Sequence, residues 1–105
     1  MTDTVLILTT WPDENLAQQA AVQWLEKNLV ACVNILPKMT SIYRWEGEIN
    51  TGNEHQMFLK TSAHRVDELM QSIVELHPYE CPEILQLPIT AGHSEYLTWI
   101  KGNTE

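Results

Sequence analysis

Basic side chains are scarce in this chain of 105 residues: six lysines and arginines stand against fourteen aspartates and glutamates, for a formal charge of −8. A field of that sign repels phosphate backbones and anionic lipid headgroups, which sets aside nucleic acid and membrane surfaces as partners. Cysteine is scarce as well. Cys32 and Cys81 are too few for a disulfide framework and are expected to be thiols. No apolar run approaches the ~20 residues that a membrane helix takes. The run Val5 to Leu8 follows Asp3 without a basic segment or a small-residue cleavage pattern, so it reads as a strand rather than a secretion signal. A cytoplasmic location is expected on that reading. The sequence also lacks a glycine-rich phosphate loop, a nucleophile elbow and paired acids at metal-binding spacing. Its only arginines, Arg44 and Arg65, lie in no evident anion-binding loop. A non-enzymatic protein is the expectation.

What the sequence does contain is a short, ordered series of periodic segments. The length fits one domain over residues 1–105. Thr4 to Thr10 is a β-branched apolar run that suits a central strand. After Trp11-Pro12, Asp13 can cap a helix whose stripe is Leu16, Ala17, Ala20, Ala21, Trp24 and Leu25, ending near Asn28. A long strand-like run from Val30 to Trp45 follows, interrupted at Pro37, which belongs at a bulge or on an edge. Turn chemistry from Gly47 to Asn53 predicts a hairpin into a strand over Glu54 to Thr61. Ser62 offers a helix cap, and Val66, Leu69, Met70, Ile73 and Val74 trace a helical stripe whose next member is His77, before Pro78 stops the helix. Ile84 to Ile89 reads as a last strand, and Gly92-His93-Ser94 opens a terminal helix carrying Tyr96, Leu97, Trp99 and Ile100.

The order strand, helix, strand, strand, helix, strand, helix is the ferredoxin-like βαββαβ pattern of an α+β domain, with an antiparallel sheet and a C-terminal helix. Right-handed crossovers place both main helices on one face. The long second strand then lies at an edge defended only by Pro37, Lys38 and Arg44, which points to self-association by edge-strand sheet extension.

The segments Val30-Ala31-Cys32-Val33-Asn34-Ile35, Thr40 to Gly47, Lys60-Thr61, His77-Pro78-Tyr79 with Pro82-Glu83-Ile84, and Tyr96-Leu97-Trp99 together resemble the CutA family of divalent-ion tolerance proteins. The resemblance runs from about Thr4 to Ile100. It implies a compact homotrimer similar to PII signalling proteins, with hairpin strands crossing onto neighbouring subunits. It also implies tolerance of copper and other divalent cations, with copper or another divalent cation as the bound ion. The family's proposed ligands are a cysteine late in the first strand and a histidine pair before Pro-Tyr. Here Thr9 and Leu76 stand at two of those places, leaving His77.

Cys32 and His77 are accordingly the candidate metal ligands. A helix-terminal imidazole also has a structural use, hydrogen-bonding carbonyls left free at the helix end. A cysteine between Ala31 and Val33 can equally be a small core hydrophobe. In favour of a ligand role, copper(I) favours thiolate, and a trimer can bring three copies of one residue near its axis. His55, His64 and His93 lack ligand-type spacing, and Cys81 follows His77 through a proline-bounded turn rather than along a helix face.

A second constellation, Trp45, Lys60, Tyr79, Glu80, Tyr96 and Trp99, offers aromatic walls, one cation and one carboxylate. It suits either interface packing or a pocket between subunits for a small metabolite, the alternative being a PII-like sensor. A third reading is a scaffold whose trimer is itself the function.

Overall fold

Seven consecutive residues with branched or apolar side chains begin β1, Thr4–Trp11, in the computed structural model, which describes residues 2–105. Asp13 closes the turn after it by accepting the Leu16 backbone N–H at 3.0 Å, and α1 runs Glu14–Glu26. That helix ends two residues before the expected Asn28. Asn28 is the left-handed residue of the cap, at φ 59°, and the N–H groups of Asn28 and Leu29 donate back to Leu25 and Trp24 carbonyls. This pattern satisfies the last free carbonyls of a helix.

The long run expected from Val30 is two strands, β2 Cys32–Ile35 and β3 Met39–Trp45, broken at Leu36-Pro37-Lys38. Both pair antiparallel with the same side of one long strand, β4, Glu48–Ser62. The predicted loop from Gly47 to Asn53 contracts to Glu46-Gly47, whose φ values of 51° and 81° supply the positive dihedrals that a two-residue hairpin turn takes. Asn50, Gly52 and Asn53 therefore lie inside the ladder, opposite Tyr43, Ser41 and Thr40. Ser62 caps no helix. Its hydroxyl lies 2.6 Å from that of Thr104, a 3₁₀ turn covers Ala63–Arg65, and α2 runs Val66–Leu76. The last strand, β5, is Leu85–Pro88, and α3 is Ser94–Gly102.

The sheet is antiparallel throughout, in the order β2-β4-β1-β5, with β3 continuing the β2 edge along β4. Its period of two separates the residues cleanly. Val5, Ile7 and Trp11 of β1, with Met57 and Leu59 of β4, pack beneath Ala17, Ala20, Ala21 and Trp24 of α1 and Val66, Leu69 and Ile73 of α2. Leu16, Leu25 and Val74, expected on those stripes, stay exposed at the margins. Trp24 fixes the two helices together by donating its indole N–H to the Ser72 hydroxyl at 2.9 Å, and it meets Trp11 edge to face.

Leu6, Leu8, Phe58 and Lys60 point to the opposite face and are half-buried, joined by the exposed Leu85 and Leu87. α3 lies against this side, through Tyr96 beside Lys60. Beyond His55, β4 leaves β1 and continues with β3 as a two-stranded arm that gives the chain its 44 Å long dimension. Ile42, Tyr43, Trp45 and Ile49 are exposed along it.

Candidate functional site

His77 ends α2, yet its ring does not serve the helix carbonyls as the sequence suggested. The imidazole is buried against Trp11, with ring centroids 4.5 Å apart, and its Nε2–H donates to the carbonyl of Thr10 at 2.7 Å. That carbonyl belongs to the part of β1 beyond Leu8, where pairing with β5 stops. The backbone N–H of Tyr79 donates to Nδ1 at 3.0 Å. A carbonyl only accepts and a backbone N–H only donates, so the two bonds fix a neutral ring with its proton on Nε2. Both nitrogens are thereby engaged. The histidine ties the turn after α2 to β1 and sets the direction in which Tyr79 leaves it.

That turn forms one wall of a cleft of about 680 Å³ whose other wall is the arm. Trp45, Tyr79 and Glu80 from the expected pocket line it. So do residues that the sequence reading missed, notably Glu54, Gln56 and Tyr43. The Gln56 amide braces the cleft by donating to the Thr9 carbonyl at 3.1 Å and to the Glu83 carboxylate at 3.3 Å. Burial, then the charge of Glu54, then Tyr43 hold the Tyr79 phenol above its ordinary range.

Lys60, Tyr96 and Trp99 do not join this cleft. Lys60 donates to the Tyr96 hydroxyl at 3.3 Å with its ammonium 5.6 Å from that ring's centre, and Tyr96 stacks on Trp99. The constellation read from sequence is therefore two groups within one chain. Cys32 is likewise separate from His77. It stands opposite Lys60 on the uncovered side of the sheet, its thiol 4.0 Å from the Asn34 side-chain oxygen, whereas His77 lies on the helix side. Thr9, at the place of the family's strand cysteine, is buried on the helix side, and its hydroxyl and the Trp11 indole N–H have no partner among the described residues. No three His, Cys, Asp or Glu side chains among the described residues converge so as to hold a metal ion. Within a single chain, then, the candidate ligands do not fit a closed metal site.

Residues 5–103 match the family described as CutA1 divalent ion tolerance protein. The chain belongs to that family. The CutA of Thermus thermophilus, described as a divalent-cation tolerance protein, is 44% identical over 99 residues, covering 94% of this chain and 96% of its own. The one from Pectobacterium atrosepticum is 42% identical over 101 residues, covering 96% and 92%. Among solved structures, CutA from Xylella fastidiosa superposes with a TM-score of 0.96 at 38% identity, over 99% of this chain and 100% of that one. The CutA family's mixed α and β architecture, with its antiparallel sheet and three helices, is thus present here essentially entire. No helix is long and apolar enough to cross a membrane among the described residues. A CutA of Archaeoglobus fulgidus with a TM-score of 0.93, 35% identical over 97% of this chain and 99% of its own, is described as periplasmic.

Proposed function

We propose that this CutA-family chain is a cytoplasmic, non-enzymatic divalent-cation tolerance protein. It works as a homotrimer of ferredoxin-like subunits, PII-like in architecture, and meets copper or another divalent ion between subunits. The observation that carries this reading is the uncovered side of the sheet. Leu6, Leu8, Phe58, Leu85 and Leu87 form an apolar surface that one chain leaves in water, and the Cys32 thiol opens on the same side. Assembly through that side and through the β2–β3 edge covers the apolar area and can gather copies of Cys32, converting one weak ligand into several. His77 contributes a ligand only by giving up one of its two hydrogen bonds, so its share is expected to be the smaller.

Native mass spectrometry of untagged protein, with copper(I) added under reducing conditions, tests this. The expected result is a trimer that takes up copper at low excess and loses that uptake in Cys32→Ser while remaining trimeric. A bare trimer, or uptake unchanged by both Cys32→Ser and His77→Ala, removes the ligand assignment.

A further inference from the structure

The cleft between the arm and the turn after α2 has an electrostatic character that the sequence did not reveal. Within one chain its lining includes the carboxylates of Glu54, Glu80 and Glu83 and, among the described residues, no lysine, arginine or histidine. Lys60, the one cation expected there, is engaged by Tyr96 outside it. An anionic metabolite is therefore opposed both by the local carboxylates and by the chain's charge of −8. A bare metal ion is poorly served too, since no three ligand-type side chains among the described residues close on one point.

Three aromatic side chains, Tyr43, Trp45 and Tyr79, add flat, electron-rich faces to those carboxylates. The Tyr43 ring lies beside Gly52, in ordinary van der Waals range of where a Cβ would stand. At the floor lies Thr10, 6% exposed, which stands opposite Gln56 across the β1–β4 ladder. The volume, about 680 Å³, falls in the range of roughly 300–1,000 Å³ that small-molecule sites occupy.

We propose that this cleft binds an organic cation, a primary ammonium or guanidinium group on an apolar or flat body. The cation reaches the spaced carboxylates while its body lies against Trp45 and Tyr79, an arrangement in which charge attraction and ring-face attraction act together. This goes beyond divalent-cation tolerance: the ligand is organic, and the residues are neither Cys32 nor His77.

The test is calorimetric titration of the full, assembled protein with agmatine and with spermidine, using citrate as an anionic control. Saturable binding of either amine is expected, weakened on the order of tenfold by Glu80→Gln, Glu54→Gln or Trp45→Leu and unchanged by Lys60→Ala. Glu80 is exposed, so its variant folds and keeps the comparison sound. Equal binding by wild type and all three cleft variants would mean diffuse attraction to an acidic surface and overturns the proposal. No binding at millimolar amine also overturns it. A blue-shifted, quencher-protected Trp45 in the free protein would then assign the cleft to the arm of another copy.

Discussion

The two sides of the sheet are made from the same strands, yet they differ in what finishes them. On one side alternate residues of β1 and of the part of β4 that pairs with it face α1 and α2, and Ile7, Met57, Leu59, Leu69 and Ile73 are wholly withdrawn from water. On the other, Leu6, Leu8 and Phe58 are only half-buried, and Leu85 and Leu87 are 53% and 40% exposed. The first side holds the subunit together by itself. The second has the composition of a core with one layer missing, which is why stability and assembly should respond to different residues.

Truncation separates the two most sharply. Leu69→Ala should cost about 2–5 kcal/mol in urea unfolding, because a fully buried leucine leaves both lost transfer energy and a cavity. Leu87→Ser should change the stability of the single subunit by less than about 0.5 kcal/mol and should appear instead as weakened association in sedimentation. Equal unfolding penalties at low protein concentration would break the distinction.

His77 tests how the turn after α2 is held to β1. His77→Ala leaves the Thr10 carbonyl and the Tyr79 N–H without their partners, a loss of about 1–3 kcal/mol for each group that water does not reach. Hydrogen exchange at the Tyr79 amide should accelerate well before that of the central β1 amides. Matching acceleration throughout would mean that the histidine supports the whole fold rather than the turn.

The smallest effect expected is alkaline. Tyr79 is held above the ordinary phenol value of about 10 by burial, Glu54 and Tyr43. Its neutral form is thus favoured by folding. The stability it contributes is fully present below the unfolded value and is lost as pH rises through the folded one. Phenolate absorbance should show one late-titrating tyrosine, shifted back toward the ordinary value in Glu54→Gln. A late group unmoved by that change would leave burial and Tyr43 as the causes.

Much of this architecture was legible because its signals are local. The β-branched run of β1, the Asp13 cap and the stripe of α2 act over a few residues, and the structure places all three elements close to where the pattern put them. The hairpin was harder. Gly47, Asn50, Gly52 and Asn53 all favour turns, and only the positive φ of Glu46 and Gly47 shows which pair makes the turn. Misplacing it by a few residues hides the register, and with it the fact that Glu54 and Gln56 share a side with Tyr43 and Trp45. That is why the cleft was only half visible. Within one chain Lys60 stands apart from this cleft, and sequence order says nothing of how far along β4 a side chain lies from the arm. Ser62 misled for a related reason: a capping residue also satisfies its hydroxyl through distant Thr104.

The arm carries a geometric rule of its own. It grows out of the sheet along a single continuous β4, with no joint between the part that belongs to the core and the part that reaches outward. Its length behaves as a ruler graduated in steps of two residues per strand, each advancing the tip by about 7 Å. A change of one step alters reach and leaves every side chain on its original side. Half a step inverts the arm, carrying Trp45 to the opposite side from Glu54 and erasing the cleft without disturbing a residue of the core.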